Sequence, residues 1–263
     1  MKIGFIGCGN MGGAIARAIS KGTQHKIYIF DKNNERCDSF SKEIGAFSSS
    51  DDYIAKNCDF IFLAVKPNII ENVILSIKDS LEENGGAILV SMAAGVKISK
   101  IKAILDKKIS VIRIMPNTPV AVGSGMTTWC PDGEVSQEGI KAFEEIMSAT
   151  GQIDRIPEEL IDAATAIAGC GPAFAYMFID ALAEAGESFG IEKEKALIYA
   201  SQMIIGSCKM VLSGGCSPSV LRERVCSPGG STIEGVLSLE KDNFSEIVKR
   251  AASASFEKTK KLG

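Results

Sequence analysis

Five short apolar runs separated by helix-length stretches narrow the first part of this chain to one architecture. The runs, residues 3–6, 26–30, 59–65, 87–92 and 111–115, are compact and rich in isoleucine, valine and phenylalanine. Strands that are apolar along nearly their whole length belong in a parallel sheet covered on both faces. Residues 11–20, 34–42, 69–81 and 98–105 lie between or after the runs and carry helical patterns. Such alternation winds into an α/β doubly wound parallel sheet through right-handed crossovers. A helix over about 136–148 and short strands near 126–129 and 152–156 complete a first domain, residues 1–156.

Beyond Pro157 the strand signals stop, and residues 157–263 read as an all-helical second domain. Phe174, Met177, Phe178, Ala181, Leu182, Ala185 and Phe189 recur at helical spacing. Within 193–212, Ala196, Leu197, Ala200, Met203, Ile204, Ile205, Cys208, Val211 and Leu212 are apolar on more than one face. A helix of that kind must be covered on most sides, and a second copy in a closed two-fold pairing is the expected cover.

Composition excludes several functions. A net charge of -3 argues against a nucleic-acid partner, which calls for a basic patch. His25 is the single histidine, so neither a histidine metal site nor a histidine relay is expected, and no metal is assigned. The eight cysteines spell no Cys-x-x-Cys and mostly sit in apolar runs, as thiols do in a reducing compartment. The first seven residues are too soon broken by glycine for a secretion signal. No stretch reaches ~18 uninterrupted apolar residues, so no membrane partner is expected. The expectation is a cytoplasmic protein.

Chemistry begins at Gly7-Cys8-Gly9-Asn10-Met11-Gly12, which follows the first strand and opens the first helix. In that register Gly7 permits the tight turn, Gly9 lets a pyrophosphate approach the backbone, and Gly12 lets helix pack on strand. The amides of the helix N-terminus, at Asn10 and Met11, face the phosphates. Asp31 ends the second strand 19 residues past Gly12, close to where a ribose-binding acid is expected. A carboxylate there favours NAD. Lys32, Asn33, Asn34 and Arg36 follow at once and could receive the 2′-phosphate of NADP, so both cofactors stay open.

Ligands of an open parallel sheet bind where the strands end. Three more strand ends carry unusual loops: Ala64-Val65-Lys66-Pro67-Asn68, Ser91-Met92-Ala93-Ala94-Gly95, and Arg113-Ile114-Met115-Pro116-Asn117-Thr118-Pro119. Taken with the glycine loop, they outline a cofactor crevice. In the helical half, Ala168-Gly169-Cys170-Gly171-Pro172-Ala173 turns into a long helix, with Pro172 near its first position. Cys226-Ser227-Pro228-Gly229-Gly230-Ser231-Thr232 opens another helix, whose free amides suit a small carboxylate.

Five of these motifs, in this order, resemble the pyrroline-5-carboxylate reductase family. They are Gly7-x-Gly9-x-x-Gly12, Ala64-Val65-Lys66-Pro67, Arg113-x-Met115-Pro116-Asn117-Thr118-Pro119, Gly169-x-Gly171-Pro172-Ala173 and Ser227-Pro228-Gly229-Gly230-x-Thr232. The resemblance spans nearly the whole chain. It implies an N-terminal Rossmann domain, an all-helical C-terminal dimerisation domain, and homodimers assembled into decamers. It also implies NADPH- or NADH-dependent reduction of 1-pyrroline-5-carboxylate to L-proline. Cys170 stands where the family usually has serine, and Ser231 where it often has threonine or alanine.

Under that resemblance a hydride from nicotinamide C4 reaches the cyclic imine carbon. Ser227, Gly229, Gly230, Ser231 and Thr232 hold the substrate carboxylate, and the Thr232 hydroxyl serves the ring nitrogen as the catalytic group. Gly7, Gly9, Asn10, Met11, Gly12, Asp31, Lys32, Asn33, Ala64, Val65, Lys66, Pro67, Ala93 and Asn117 form the cofactor set. Two other readings compete. A β-hydroxyacid dehydrogenase requires a lysine early in the interdomain helix, and none follows Gly171 before Lys193. A non-enzymatic NAD(P)-binding redox sensor has no use for a second anion pocket at 227–232.

Overall fold

A computed structural model describes residues 1–22, 24–105 and 109–262. The chain divides into two compact units, one of Met1–Pro172 with Ser255–Gly263 and one of Ala173–Ala254.

The first unit is built on β1 (Lys2–Ile6), α1 (Asn10–Gly22), β2 (Lys26–Phe30), α2 (Asn34–Ile44), β3 (Phe47–Ser48), α3 (Asp51–Asn57) and β4 (Phe60–Leu63). It continues with α4 (Ile70–Asn84), β5 (Ile88–Ser91), α5 (Ile98–Lys102), β6 (Ser110–Met115), β7 (Gly125–Pro131), α6 (Gln137–Met147) and β8 (Gly151–Arg155). The eight strands form one sheet in the order β3-β2-β1-β4-β5-β6-β7-β8. Successive side chains of a strand point to opposite faces, and each face has its own core. Phe5, Phe62, Val90 and Ile112 pack with Ile15, Ile19 and Phe143 on one side. Ile61, Leu63, Leu89 and Val111 pack with Ile74, Ile77 and Ile101 on the other. Phe5 and Phe62 stack on neighbouring strands with ring centroids 4.6 Å apart.

Two features depart from the sequence reading. The edge strand β3 and helix α3 lie between residues 43 and 58, where the sequence analysis places no element; residues 47–52, Phe-Ser-Ser-Ser-Asp-Asp, are mostly turn formers. Ser50 is instead a helix cap, its hydroxyl accepting from the Tyr53 amide at 3.1 Å. Secondly, the sheet is parallel except where β6 meets β7. The connection between those strands is too short for a parallel crossover and turns straight back through Gly123 at φ 68°.

Among the described residues no strand follows Arg155. α7 (Ile161–Ala164) runs into a π-helical turn, Thr165–Gly169, and then α8 (Gly171–Ser188). The rest is α9 (Lys193–Leu212), α10 (Pro218–Val225), α11 (Ser231–Lys241) and α12 (Phe244–Lys260). α8 and α9 meet through small residues: a Cβ on Gly186 would stand 2.9 Å from the Ala196 methyl. Beyond that seam much apolar surface is uncovered, with Met177 at 73%, Ile198 at 64% and Leu212 at 83% exposure. The helical stretch Glu158–Ser188 is also long and apolar enough, by length and composition alone, to cross a membrane. A test on uninterrupted apolar runs misses it, because Thr165 and Gly171-Pro172 interrupt the pattern without adding charge.

Candidate active site

The glycine loop is shaped by what its residues lack. Gly7 has φ 102°, its amide donates to the Phe30 carbonyl at 2.7 Å, and a side chain there would run into the Ala64 carbonyl. At Gly12 a Cβ would sit 2.5 Å from the Ala64 methyl and 2.7 Å from the Gly7 carbonyl oxygen, so α1 can lie on β4 only without one. Gly9 is different, since a Cβ there would meet no atom within 4 Å. That open flank is room for a ligand. α1 carries no acid in its first turn, and the amides of Asn10, Met11 and Gly12 precede the first intrahelical bond, from Gly13 to the Gly9 carbonyl at 2.8 Å. Positive dipole end and free amides together favour a phosphate.

Asp31 turns back onto this loop. Its Oδ2 accepts from the Cys8 amide at 3.0 Å and from the Cys8 thiol at 3.4 Å, and its Oδ1 accepts from the Asn33 amide at 3.0 Å. The Arg36 guanidinium lies 4.0 Å away. Burial pushes this carboxyl up, but the three hydrogen bonds and Arg36 outweigh burial and hold it below its ordinary value. Burial and the Asp31 charge push the Cys8 thiol up to about 12, so it stays protonated and donating. Asn33 caps α2 by accepting from the Arg36 amide at 2.9 Å.

A cleft of about 240 Å³ gathers Gly7, Gly9, Asp31, Lys32, Ala64, Val65 and Lys66. Ile69 and Val73 add an apolar wall, and Arg36 a cation. A second cleft of about 510 Å³ reaches from Gly9 and Asn10 to Arg17, Arg36 and Ala121. Met11, Gly12, Asn33, Pro67, Ala93 and Asn117 line neither cleft. Ala93 is 1% exposed and its methyl belongs to the core beneath β5. Pro67 opens the short turn after Lys66. Sequence reasoning missed Ile69, Val73 and Ala121. The first two sit at i and i+4 and read as a helix core stripe, and nothing in the sequence marks Ala121.

The β6 end is buried rather than open. Arg113 is 1% exposed and pairs with Glu158 at 3.3 Å and Asp162 at 2.8 Å. Asn117, 8% exposed, accepts from the Met126 amide at 2.9 Å and donates to the Ala168 carbonyl at 3.0 Å.

In the second unit, Ser227 to Gly230 form a turn closed by the Gly230 amide on the Ser227 carbonyl at 3.0 Å, with Gly229 at φ 70°. Gly230 caps α11 with no side-chain hydrogen bond, so Ser231 and Thr232 open the helix with exposed side chains and uncapped amides. Among the described residues no cluster of three or more His, Cys, Asp or Glu gathers as a metal site.

A doubly wound sheet with an open glycine loop and an acid behind it defines a dinucleotide-binding oxidoreductase, and comparison narrows the class. Residues 158–262 match the family model for pyrroline-5-carboxylate reductase dimerisation, and residues 2–95 match that for NADP oxidoreductase, coenzyme F420-dependent. Pyrroline-5-carboxylate reductase of Aquifex aeolicus is 40% identical over 264 residues, covering 100% of this chain and 97% of the relative. The Escherichia coli reductase is 37% identical, covering 99% and 98%. The crystal structure of Plasmodium falciparum pyrroline carboxylate reductase with NADP bound superposes with a TM-score of 0.89 at 34% identity, covering 100% and 98%. This chain belongs to the pyrroline-5-carboxylate reductase family. The dimerisation match, with the apolar surface left bare on α8 and α9, indicates a homo-oligomer.

Proposed function

We propose that the chain reduces 1-pyrroline-5-carboxylate to L-proline with NADPH or NADH, the last step of proline biosynthesis. The observation that carries this reading is likeness along the whole chain to reductases of that name. The glycine loop supports it, because its open flank at Gly9 fits a pyrophosphate.

The cofactor's phosphates rest on Gly7, Gly9, Asn10, Met11 and Gly12. Asp31, Lys32 and Asn33, with Arg36, face the ribose and any 2′-phosphate. Ala64, Val65, Lys66 and Pro67 flank the path towards the nicotinamide end, where buried Ala93 backs the wall. When bound, the nicotinamide supplies the hydride that reduces the imine carbon. The protein's own work is placement. Amides around Ser227, Gly229, Gly230, Ser231 and Thr232 hold the substrate carboxylate, and the Thr232 hydroxyl hydrogen-bonds the ring nitrogen and relays to it a proton drawn from water. The apolar faces of α8 and α9 pair across a dimer, the dimers assemble into a decamer, and the enzyme works in the cytoplasm. The division read from the sequence, at residues 156 and 157, falls just after β8, whereas the compact units part later, after Pro172.

Purified protein mixed with NADPH or NADH and pyrroline-5-carboxylate should lose the absorbance of the reduced nicotinamide. Absence of that loss with both cofactors defeats the reading. Thr232→Ala should lower turnover on the order of a hundredfold while nucleotide titration stays as in wild type. Unchanged turnover removes Thr232 from the chemistry.

A further inference from the structure

The Ala168 carbonyl lacks its ordinary helical partner for a reason written in the sequence. In a continuing helix it would accept from the amide four residues on, but that residue is Pro172, which has none. The turn before it is π-helical, with the Cys170 amide bonded to the Thr165 carbonyl at 2.9 Å, so the ladder is already displaced here. The missing donor arrives from a distant motif. Asn117 Nδ2 reaches the Ala168 carbonyl at 3.0 Å while its Oδ1 takes the Met126 amide at 2.9 Å. Only this orientation of the amide gives both neighbours the partner each needs. Gly169 rests on the same strand end, since a Cβ there would stand 4.0 Å from Met115 Cγ. All of these residues lie in one compact unit.

We infer that Asn117 is a positioning residue: it supplies the N–H that Pro172 withholds and so fastens the turn 165–170 to the loop after β6. Its amide is committed to two backbone groups and it is nearly buried. It therefore acts through the Ala168 carbonyl rather than by gripping the cofactor. The Pro-Asn-Thr-Pro loop and the Gly-Cys-Gly-Pro turn, far apart in sequence, are two halves of one joint. The consequence for turnover rests on the reductase reading above, whereas the joint itself does not.

A double-mutant cycle tests it. Asn117→Asp keeps an acceptor for Met126 but cannot donate to Ala168, and Pro172→Ala returns a backbone N–H at the position where one was lacking. Asn117→Asp should lower kcat about tenfold with NADPH affinity, read by fluorescence titration, within twofold of wild type. Amide exchange over residues 165–170 should rise. Pro172→Ala in that background should recover at least half of the logarithmic loss and slow the exchange again. Strictly additive effects, or weakened NADPH binding with exchange at 165–170 unchanged, overturn the inference. Should Asn117→Asp not fold, the same cycle is read on Asn117→Ser, whose hydroxyl stays near Met126 but falls short of Ala168. If wild type itself shows no turnover, the reductase reading fails, and titration and exchange still decide whether the joint exists.

Discussion

The two units of this chain treat apolar residues in opposite ways. In the sheet unit Phe5, Phe62, Leu63, Val111 and Phe143 are 0% exposed, whereas in the helical unit Met177, Phe189 and Leu212 stand at 73%, 80% and 83%. The sheet is covered on both faces by helices from its own sequence, so one chain finishes its core. Helices α8 and α9 bury little beyond Ala183, Gly186, Ala196 and Ala200, of which Gly186 and Ala196 lie against each other. Many of their remaining apolar residues stay uncovered within one chain. With the dimer pairing proposed above, stability of the first unit should be intrinsic and that of the second tied to protein concentration.

The strongest test of that contrast is a charge beside the uncovered face, at the half-buried Ile204 between exposed Met203 and Ile205. Ile204→Asp should dissociate or unfold the helical unit and abolish activity, read by sedimentation and turnover. A fully active, well-folded monomer, from wild type or variant, would break the comparison. Its counterpart belongs inside the sheet. Phe62 is fully buried and stacked on Phe5, and Phe62→Ala should cost about 4 kcal/mol. That loss should be the same in dilute and concentrated protein. A loss that grows on dilution would mean the two units share their stability after all.

How much could be read in the sequence follows the same division. Central strands β1, β2, β4, β5 and β6 were legible because a strand with both faces covered writes a nearly continuous apolar run. The edge pair β3 and α3 was not, since Phe47 and Ser48 are exposed and α3 buries only Ile54 and Ala55. The roles of Gly7 and Gly12 were readable, because each answers a steric demand of the chain, whereas no protein atom stands near enough to Gly9 to require a glycine there. The commitment of Asn117 and Arg113 to residues 158–168 was not, because side-chain partners 45 to 51 positions away leave no periodic trace. The cleft walls Ile69 and Val73 were hidden for another reason: an apolar residue at helical spacing looks the same whether it meets a core or a ligand.

The loop itself offers a sharper, smaller test confined to the first unit. Gly9→Val places a branched side chain where no protein atom stands within 4 Å, so the fold should survive. The phosphate path should not, and NADPH affinity should fall on the order of a hundredfold, about 2.7 kcal/mol. Sedimentation should remain as in wild type, since nothing in the helical unit has changed. Normal nucleotide titration in this variant would move the phosphates elsewhere.

The smallest effect concerns Asp31, whose carboxylate is held by Cys8 and Asn33 with Arg36 close by. A charge in that place accepts a ribose hydroxyl and repels a 2′-phosphate, so Asp31→Ser should shift the ratio of kcat/KM for NADPH over NADH upwards about tenfold, roughly 1.4 kcal/mol. An unchanged ratio means that Lys32, Asn33 and Arg36 read the ribose without it. The same variant reports on stability. Burial opposes ionisation here, yet the hydrogen bonds and Arg36 win and lower the folded pKa. A lowered carboxylate pKa stabilises the fold above the unfolded value of about 4 and loses that contribution as pH falls through the folded value. Wild type should therefore exceed Asp31→Ser in stability at neutral pH, and the gap should close in acid. The residue is partly exposed, so the difference should be modest and should shrink in salt. A gap that stayed constant into acid would show that Asp31 supports the loop by shape rather than by charge.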